Sequence, residues 1–566
     1  MYRSEHPKPQ FFRESWVNLN GKWQFEIDKS NSGADRRLYQ QDKPFADIIE
    51  VPFCPESALS GIQHVDFMDS VWYKRDFTLT EENLSGRVIL HFGAVDYKTT
   101  VYVNGKECGT HEGGYVSFSM DITEQAIVGT NVLTVHAEDN TRDPMIPSGK
   151  QSERYYSDGC MYTRTTGIWQ TVWLEFVPNT YIVKTKYDTD ANSATLNITA
   201  TLCGKGTLKA TAIYEGREVG RAETESLGGV AHLSISLSEK HLWEVGNGRL
   251  YDLVLTYGED TVKSYFGLRT VQLDGYRFLI NGKSVFQRLV LDQGFYPDGI
   301  YTAPDDKELI ADIERSLAMG FNGARLHEKV FEERFLYHCD RLGYIVWGEF
   351  PSWGLDHSKP ESIYGILPEW LEEIERDYNH PAIIGWCPFN ETWDINGHYQ
   401  HNNVLATVYK ATKVADLTRP CIDTSGNFHV VTDIFDVHNY EQDPVKFAEY
   451  YKNLPIDGTF VDQFDKRQHY KKGQPTFVSE YGGIAWTEDQ SGWGYGNAPK
   501  SREEFLARLE GLTDALLNNP CMFGFCYTQL TDVEQEQNGL YTYGRKPKFD
   551  PAIIHKIFAK KAAIED

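Results

Sequence analysis

At 566 residues the chain is longer than one hydrophobic core usually supports, so two to four domains are expected. Its 41% apolar and 13% aromatic content excludes a disordered chain. A formal net charge of −25, with no Lys/Arg-rich run to offset it, would repel phosphate backbones, so nucleic acid is not an expected partner. No run of 18 apolar residues occurs and no apolar segment follows the polar N-terminus, so no membrane partner is expected and the cytoplasm is the expected location. Nine irregularly spaced cysteines, at 54, 108, 160, 203, 339, 387, 421, 521 and 526, suit reduced thiols in that compartment. Cys521 and Cys526 lack a second pair or a histidine cluster, so no zinc site is assigned. The 13 Trp and 33 Tyr are mainly core material, but flat rings also suit the apolar faces of pyranoses.

From about 15 to 180 short alternating runs are broken by Gly, Asn and Asp turns, which predicts an all-β sandwich. The Asn104-Gly105 dipeptide between two such runs is a hairpin signal. Residues 181–272 give a second set of short strands, of the size of an immunoglobulin-like sandwich, with no catalytic constellation. From 273 to 566 apolar strands alternate with amphipathic helical stretches such as 306–319, 331–341, 369–378 and 503–517. Eight strands, the fifth at 420–424, predict a (β/α)8 TIM barrel. The expected domains are therefore 1–180, 181–272 and 273–566.

Two barrel strands end on a carboxylate. The apolar run to Trp386 gives way to Asn390-Glu391, and the run 476–479 gives way to Glu480. In the strand count they follow the fourth and seventh strands, and their spacing suits three β/α units of a ~250-residue barrel. Both would face one pocket on the C-terminal rim, where a pair of glutamates suits glycoside hydrolysis. Glu391 is the expected acid/base and Glu480 the expected nucleophile. No Gly-rich loop follows a strand in the way a nucleotide cofactor requires, and none is expected.

The chain resembles glycoside hydrolase family 2, the family of β-galactosidases and β-glucuronidases. The N-terminal phrases are Leu19-Asn20-Gly21-Lys22-Trp23, Val71-Trp72-Tyr73-Lys74-Arg75, His111-Glu112-Gly113-Gly114-Tyr115 and Gly167-Ile168-Trp169-Gln170. The barrel phrases are Gly320-Phe321-Asn322-Gly323-Ala324-Arg325, the run from His380 that ends on Asn390-Glu391, and Ser479-Glu480-Tyr481-Gly482. The resemblance implies a sugar-binding jelly roll at the N-terminus. It also implies that Asn390 binds the sugar 2-hydroxyl and that Tyr440 hydrogen-bonds the nucleophile.

Three departures bear on the sugar. Leu326-His327-Glu328-Lys329 replaces the usual Ser-His-Tyr-Pro, and the first strand leads into Leu291-Asp292-Gln293 rather than Asn-Arg-His-Glu. Glu536-Gln537-Asn538 stands where bacterial glucuronidases carry Asn-x-Lys, and an acidic residue there would repel a uronate. Arg325, Lys329 or Arg545 would then have to form a different carboxylate clamp. Asp292, Arg325 and His327 are expected to touch substrate, with an Asp292–Arg325 ion pair as the structural alternative. Tyr527 is expected at the floor of the sugar subsite, and Trp353 and Trp486 as pocket walls or core. The insertion 142–162 is long enough to shape the pocket.

The leading expectation is an exo-acting retaining β-glycosidase of the galactosidase type, with a carbohydrate as its partner. A uronidase for glucuronate or galacturonate with an unfamiliar clamp is the alternative. A carbohydrate-binding protein that lost the reaction is the reading from another class. No metal is expected, although some family galactosidases use Mg²⁺, and a homo-oligomer is compatible with the sequence.

Overall fold

Alternation of apolar and polar residues builds two sandwiches in the computed structural model, which describes residues 2–40, 42–487 and 492–565. In the first, Gly21–Ile27 turns Trp23 and Phe25 inward, and Lys98–Val103 does the same with Val101 and Val103. A four-stranded sheet (Trp16–Asn18, Val172–Val177, Arg87–Phe92, Phe118–Asp121) faces a six-stranded one centred on Ser70–Leu79 and Gly129–Glu138. The hairpin between Lys98–Val103 and Lys106–Glu112 turns on Asn104 and Gly105, both left-handed at φ +53° and +77°. The second sandwich packs a three-stranded sheet against a four-stranded one, around a core from Ile182 to Leu268.

The barrel strands read differently because both faces are buried. Seven parallel strands lie in one curled sheet. In chain order they are Gln287–Asp292, Gly323–Leu326, Ile345–Glu349, Ile383–Cys387, Phe435–Asn439, Thr476–Gly482 and Gly524–Thr528. The segment expected as the fifth strand, 420–424, forms no ladder. It meets the fourth strand through the isolated parallel bridge Trp386↔Cys421, and a second bridge, Asn390↔Ser425, lies just beyond the ends of both. Pro420 has no N–H, and the N–H groups of Cys421 and Thr424 are taken by the side chains of Asp433 and Asp423, so that edge has little left to pair. This leaves Phe435–Asn439 as the sixth strand position and Thr476–Gly482 as the seventh.

The helices lie close to their expected places, with one exception. The helix expected at 369–378 begins at Ile363 and runs to Asp377, with Pro368 inside it. A 3-10 turn, Pro360–Ser362, starts the coil early and carries it past the proline, which gives up one backbone hydrogen bond. Among the described residues no helix is long and apolar enough to cross a membrane.

The sandwiches are not loose appendages. Tyr115, Tyr162 and Trp169 of the first, and Trp243 of the second, belong to the barrel's own hydrophobic cluster. Trp169 packs on Tyr301 at 5.1 Å between ring centroids, and Trp243 donates its indole N–H to Asp340 O. The insertion 142–162 is pinned to the barrel rim, because Ser148 and Gly149 both donate their N–H to Trp353 O.

Candidate active site

Glu391 stands just past the fourth strand in a left-handed conformation, φ +40°, with its N–H held by Ser425 O at 3.0 Å. A non-glycine residue held at positive φ fixes where its side chain points, here back across the rim. Glu480 lies within the seventh strand. One carboxylate oxygen from each and Nδ1 of His438 lie within 4.8 Å of one another. So close an approach of the two carboxylates is compatible with a pair working at about 5–5.5 Å.

Each carboxylate is held by donors of its own. Glu480 accepts from Tyr440 Oη at 2.5 Å and from Arg325 Nη1 at 3.0 Å. Glu391 accepts from Trp393 Nε1 at 3.0 Å and bonds His438 Nδ1 at 2.6 Å. Burial works against charge on Glu391, but the hydrogen bond and charge of His438, then Trp393 and Lys150, bring its carboxyl down to about 2. Burial likewise opposes charge on His438, and Glu480 and Glu391 overcome it, raising the imidazolium above its ordinary value. Both shifts favour the ion pair, with the proton on His438 and the charge on Glu391.

Arg325 sits at the centre of the polar floor. Besides Glu480 it bonds Glu349 (2.6 and 3.0 Å), Ser479 O (3.0 Å) and the side-chain oxygen of Asn390 (3.1 Å). Glu349 also holds His327 Nδ1 at 2.9 Å. Burial opposes charge on Glu349, yet Arg325 and His327 bring it down to about 2, while burial lowers His327. Among the described residues, Asn390 Nδ2 is buried without an acceptor.

The structure moves three expected residues away from the two glutamates. Asp292 bonds the N–H of Gly294 rather than Arg325, and burial with Asp312 raises it to about 6 within a separate group that includes Arg545 and Lys329. Tyr527 is buried against Tyr481 and Phe558, on the helix side of its strand. Alternation along Gly524–Thr528 instead turns Thr528 inward, where its hydroxyl meets Tyr440 Oη at 3.0 Å. Trp486 packs between Phe505 and Phe549. Trp353, by contrast, lines a cavity of about 570 Å³ that reaches Glu391 and Trp393. Its indole donates to Asn390 O at 2.8 Å.

Three residues of this cluster escaped the sequence reading. Glu349 ends the third strand on a carboxylate just as Glu391 follows the fourth, and His438 precedes Tyr440 by two positions on the sixth. The third is Lys150, delivered by the insertion 142–162. Its side chain is buried, its Nζ lies 3.8 Å from the centre of the Trp353 ring, and Glu391, Glu480 and Glu536 all feel its charge. Burial opposes that charge, and Cys160, Glu536, Glu328 and Glu480 together raise the ammonium above its ordinary value. Glu536 is bonded by Tyr162 Oη at 2.5 Å and Asn538 Nδ2 at 3.0 Å, and burial raises it, which weakens the repulsion expected of it.

Three family models match in register with these units. They are "Glycosyl hydrolases family 2, sugar binding domain" over 16–178, "Glycosyl hydrolases family 2" over 177–269, and "Glycosyl hydrolases family 2, TIM barrel domain" over 271–492. A β-galactosidase of Thermoanaerobacter pseudethanolicus is 26% identical over 432 residues, 70% of this chain and 53% of that protein. The β-glucuronidase of Rattus norvegicus is 27% identical over 542 residues, 85% of this chain and 79% of that one. The chain thus spans about half the length of the bacterial relative and most of the mammalian one. Among solved structures, Ruminococcus gnavus β-glucuronidase in complex with D-glucuronic acid superposes with a TM-score of 0.79 at 20% identity, covering 98% of this chain and 100% of that one. That likeness is one of fold. The sandwiches, the barrel and the matches to all three models together show that the chain belongs to glycosyl hydrolases family 2.

Proposed function

We propose that the protein is an exo-acting retaining β-glycosidase whose sugar is a uronic acid. The observation that carries the mechanism is the pair of opposed carboxylates, Glu391 and Glu480, with oxygens within 4.8 Å of each other. In this reading Glu480 attacks the anomeric carbon while Glu391 protonates the departing glycosidic oxygen. Arg325 and Tyr440 hold the nucleophile in line. The glycosyl–enzyme ester is then cleaved by a water that Glu391 deprotonates. The buried Nδ2 of Asn390 is placed to donate to the sugar 2-hydroxyl during both steps.

For the sugar, the relatives favour a uronide over the galactoside that the sequence first suggests. The rat and mouse proteins are named β-glucuronidases, as are the solved structures from Ruminococcus gnavus and an uncultured Clostridium. A panel of nitrophenyl β-glycosides, pairing glucuronide with glucoside and galacturonide with galactoside, tests this directly. One uronide is expected to exceed its neutral partner in kcat/KM by about 100-fold or more. Cleavage of the galactoside alone would overturn the sugar and leave the two-carboxylate mechanism standing.

A further inference from the structure

The pocket contains a buried cation that the protein leaves without an acceptor. Lys150 is only 5% exposed, and among the described residues its ammonium makes no hydrogen bond or ion pair; it lies over the face of Trp353, with Cys160 the first of the groups whose charge acts on it. A lysine side chain that is almost wholly covered, yet has no protein acceptor for its ammonium among the described residues, calls for a reason. Its neighbours do not supply one. The four carboxylates whose charge acts on it, or on which it acts, already have both oxygens bonded elsewhere. Glu391 has His438 and Trp393, Glu480 has Arg325 and Tyr440, Glu536 has Tyr162 and Asn538, and Glu328 has Ser352 and the N–H of Trp353. None of the four comes within the 4.0 Å of an ion pair with Lys150.

The other cations that might meet an anionic sugar are already engaged with the protein, Arg545 keeping only its buried Nε without a partner among the described residues. Arg325 is shared among Glu349, Glu480, Ser479 O and Asn390. Lys329 donates to Gly294 O and Tyr301 O. Arg545 donates to Phe295 O, Tyr543 O and Asp312. Lys150 also stands in the right quarter of the site. The ring beneath it, Trp353, bonds the backbone of Asn390, and its charge reaches both Glu391 and Glu480.

From this geometry we infer that Lys150, carried into the barrel mouth by the first sandwich, receives the carboxylate of the uronic acid. The inference rests on the uronidase reading above and gives that reading its missing clamp. It moves the clamp from the barrel loop after the eighth strand, where Glu536 now stands, to a loop of another domain. Gly149 sets the approach. It adopts φ +56°, and a Cβ there would lie 2.6 Å from Glu328 O and 2.9 Å from Pro351, so no larger residue fits this turn against the rim.

The test varies charge on both partners. Values of kcat/KM are measured on the preferred nitrophenyl β-uronide and on its uncharged methyl ester, for the wild type, K150Q and K150R. The wild type is expected to prefer the acid by about 10- to 100-fold, the range of a charge-assisted hydrogen bond. K150Q is expected to bring the acid-to-ester ratio to within about threefold of unity, and K150R to keep most of the preference. The ratio is taken within one preparation, so a partly misfolded variant does not distort it. If K150Q turns over neither compound, calorimetric affinities for free glucuronate and glucose give the same comparison. A ratio unchanged by K150Q overturns the inference and leaves the uronidase reading intact. A wild type that cleaves neutral glycosides but neither the uronide nor its ester overturns the reading itself.

Discussion

At the residue scale, the point that most affects catalysis is where the proton waits. A retaining acid/base must begin protonated, yet Glu391 is held near 2 by His438, and the shifts of the pair favour the proton on the imidazole 2.6 Å away. Such a pair titrates as a unit, and its proton is lost at a pH set by the raised imidazolium. His438 is the main group holding Glu391 down against burial, so His438→Gln is expected to raise the Glu391 carboxyl from about 2 and to remove the imidazole's own titration. The basic limb of kcat/KM against pH is therefore expected to shift in the variant. A limb that stays in place would show that His438 takes no part. None of this was legible in the sequence, where His438 is one histidine among 17. Glu391, Glu480 and Tyr440 were legible because each stands in a motif at or near the end of an apolar strand.

At the scale of elements, strand alternation gave the order of the chain but not which side of a strand faces the pocket. The sequence places an eighth strand and leads to Tyr527 as the floor of the sugar subsite. A one-residue shift in phase makes Thr528 the inward residue and turns Tyr527 toward Phe558. For Trp486 pocket wall and core are equal expectations from the sequence, because a large ring near a catalytic strand suits either, and it packs against Phe505 and Phe549. The segment after the fourth strand shows what side chains can do in place of a ladder. His429 is buried between Asp423 (2.8 Å) and Asp436 (3.3 Å). Burial opposes its charge, but the hydrogen bonds to Asp423 and Asp436 raise it to about 10. A raised imidazolium stabilises the fold fully below its unfolded value of about 6.5 and loses that contribution as pH rises toward 10. His429→Gln leaves two buried carboxylates without their cation and is expected to cost about 3–5 kcal/mol at pH 6. The gap in Tm between variant and wild type should narrow from pH 6.5 to 10. A gap that is constant across that window would contradict the ion-pair account.

At the scale of the molecule, the three units are joined by buried charge as well as by shared core. Arg13 ties the N-terminal segment to both sandwiches, through Glu175 of the first and Asp260 of the second. Arg3 reaches the barrel and grips Glu332 with two hydrogen bonds, of 2.6 and 2.8 Å. Removing one partner of a buried pair costs more than the pair contributes, so Arg3→Met is expected to lower stability by about 3–5 kcal/mol, read from urea unfolding. A change under 1 kcal/mol would mean that the N-terminal segment is only loosely attached. The architecture was readable from the change of period near residue 273. The site was only half readable, because a sequence pattern shows what one strand ends on and not what another domain brings to it. Lys150 is the example: the insertion 142–162 stood out by its length, but nothing in it distinguished this lysine from any other until Gly149 and Trp353 fixed its place.

The central claim is that Glu480 forms a covalent bond to the sugar with Glu391 as its acid/base partner. Treating the protein with an activated 2-deoxy-2-fluoro-β-uronide slows the second step and traps the ester, and peptide mass mapping locates it. The account predicts time-dependent inactivation with one sugar per chain, carried on the peptide that contains Glu480. A label on the peptide containing Glu391, or turnover that the reagent fails to stop, would contradict it.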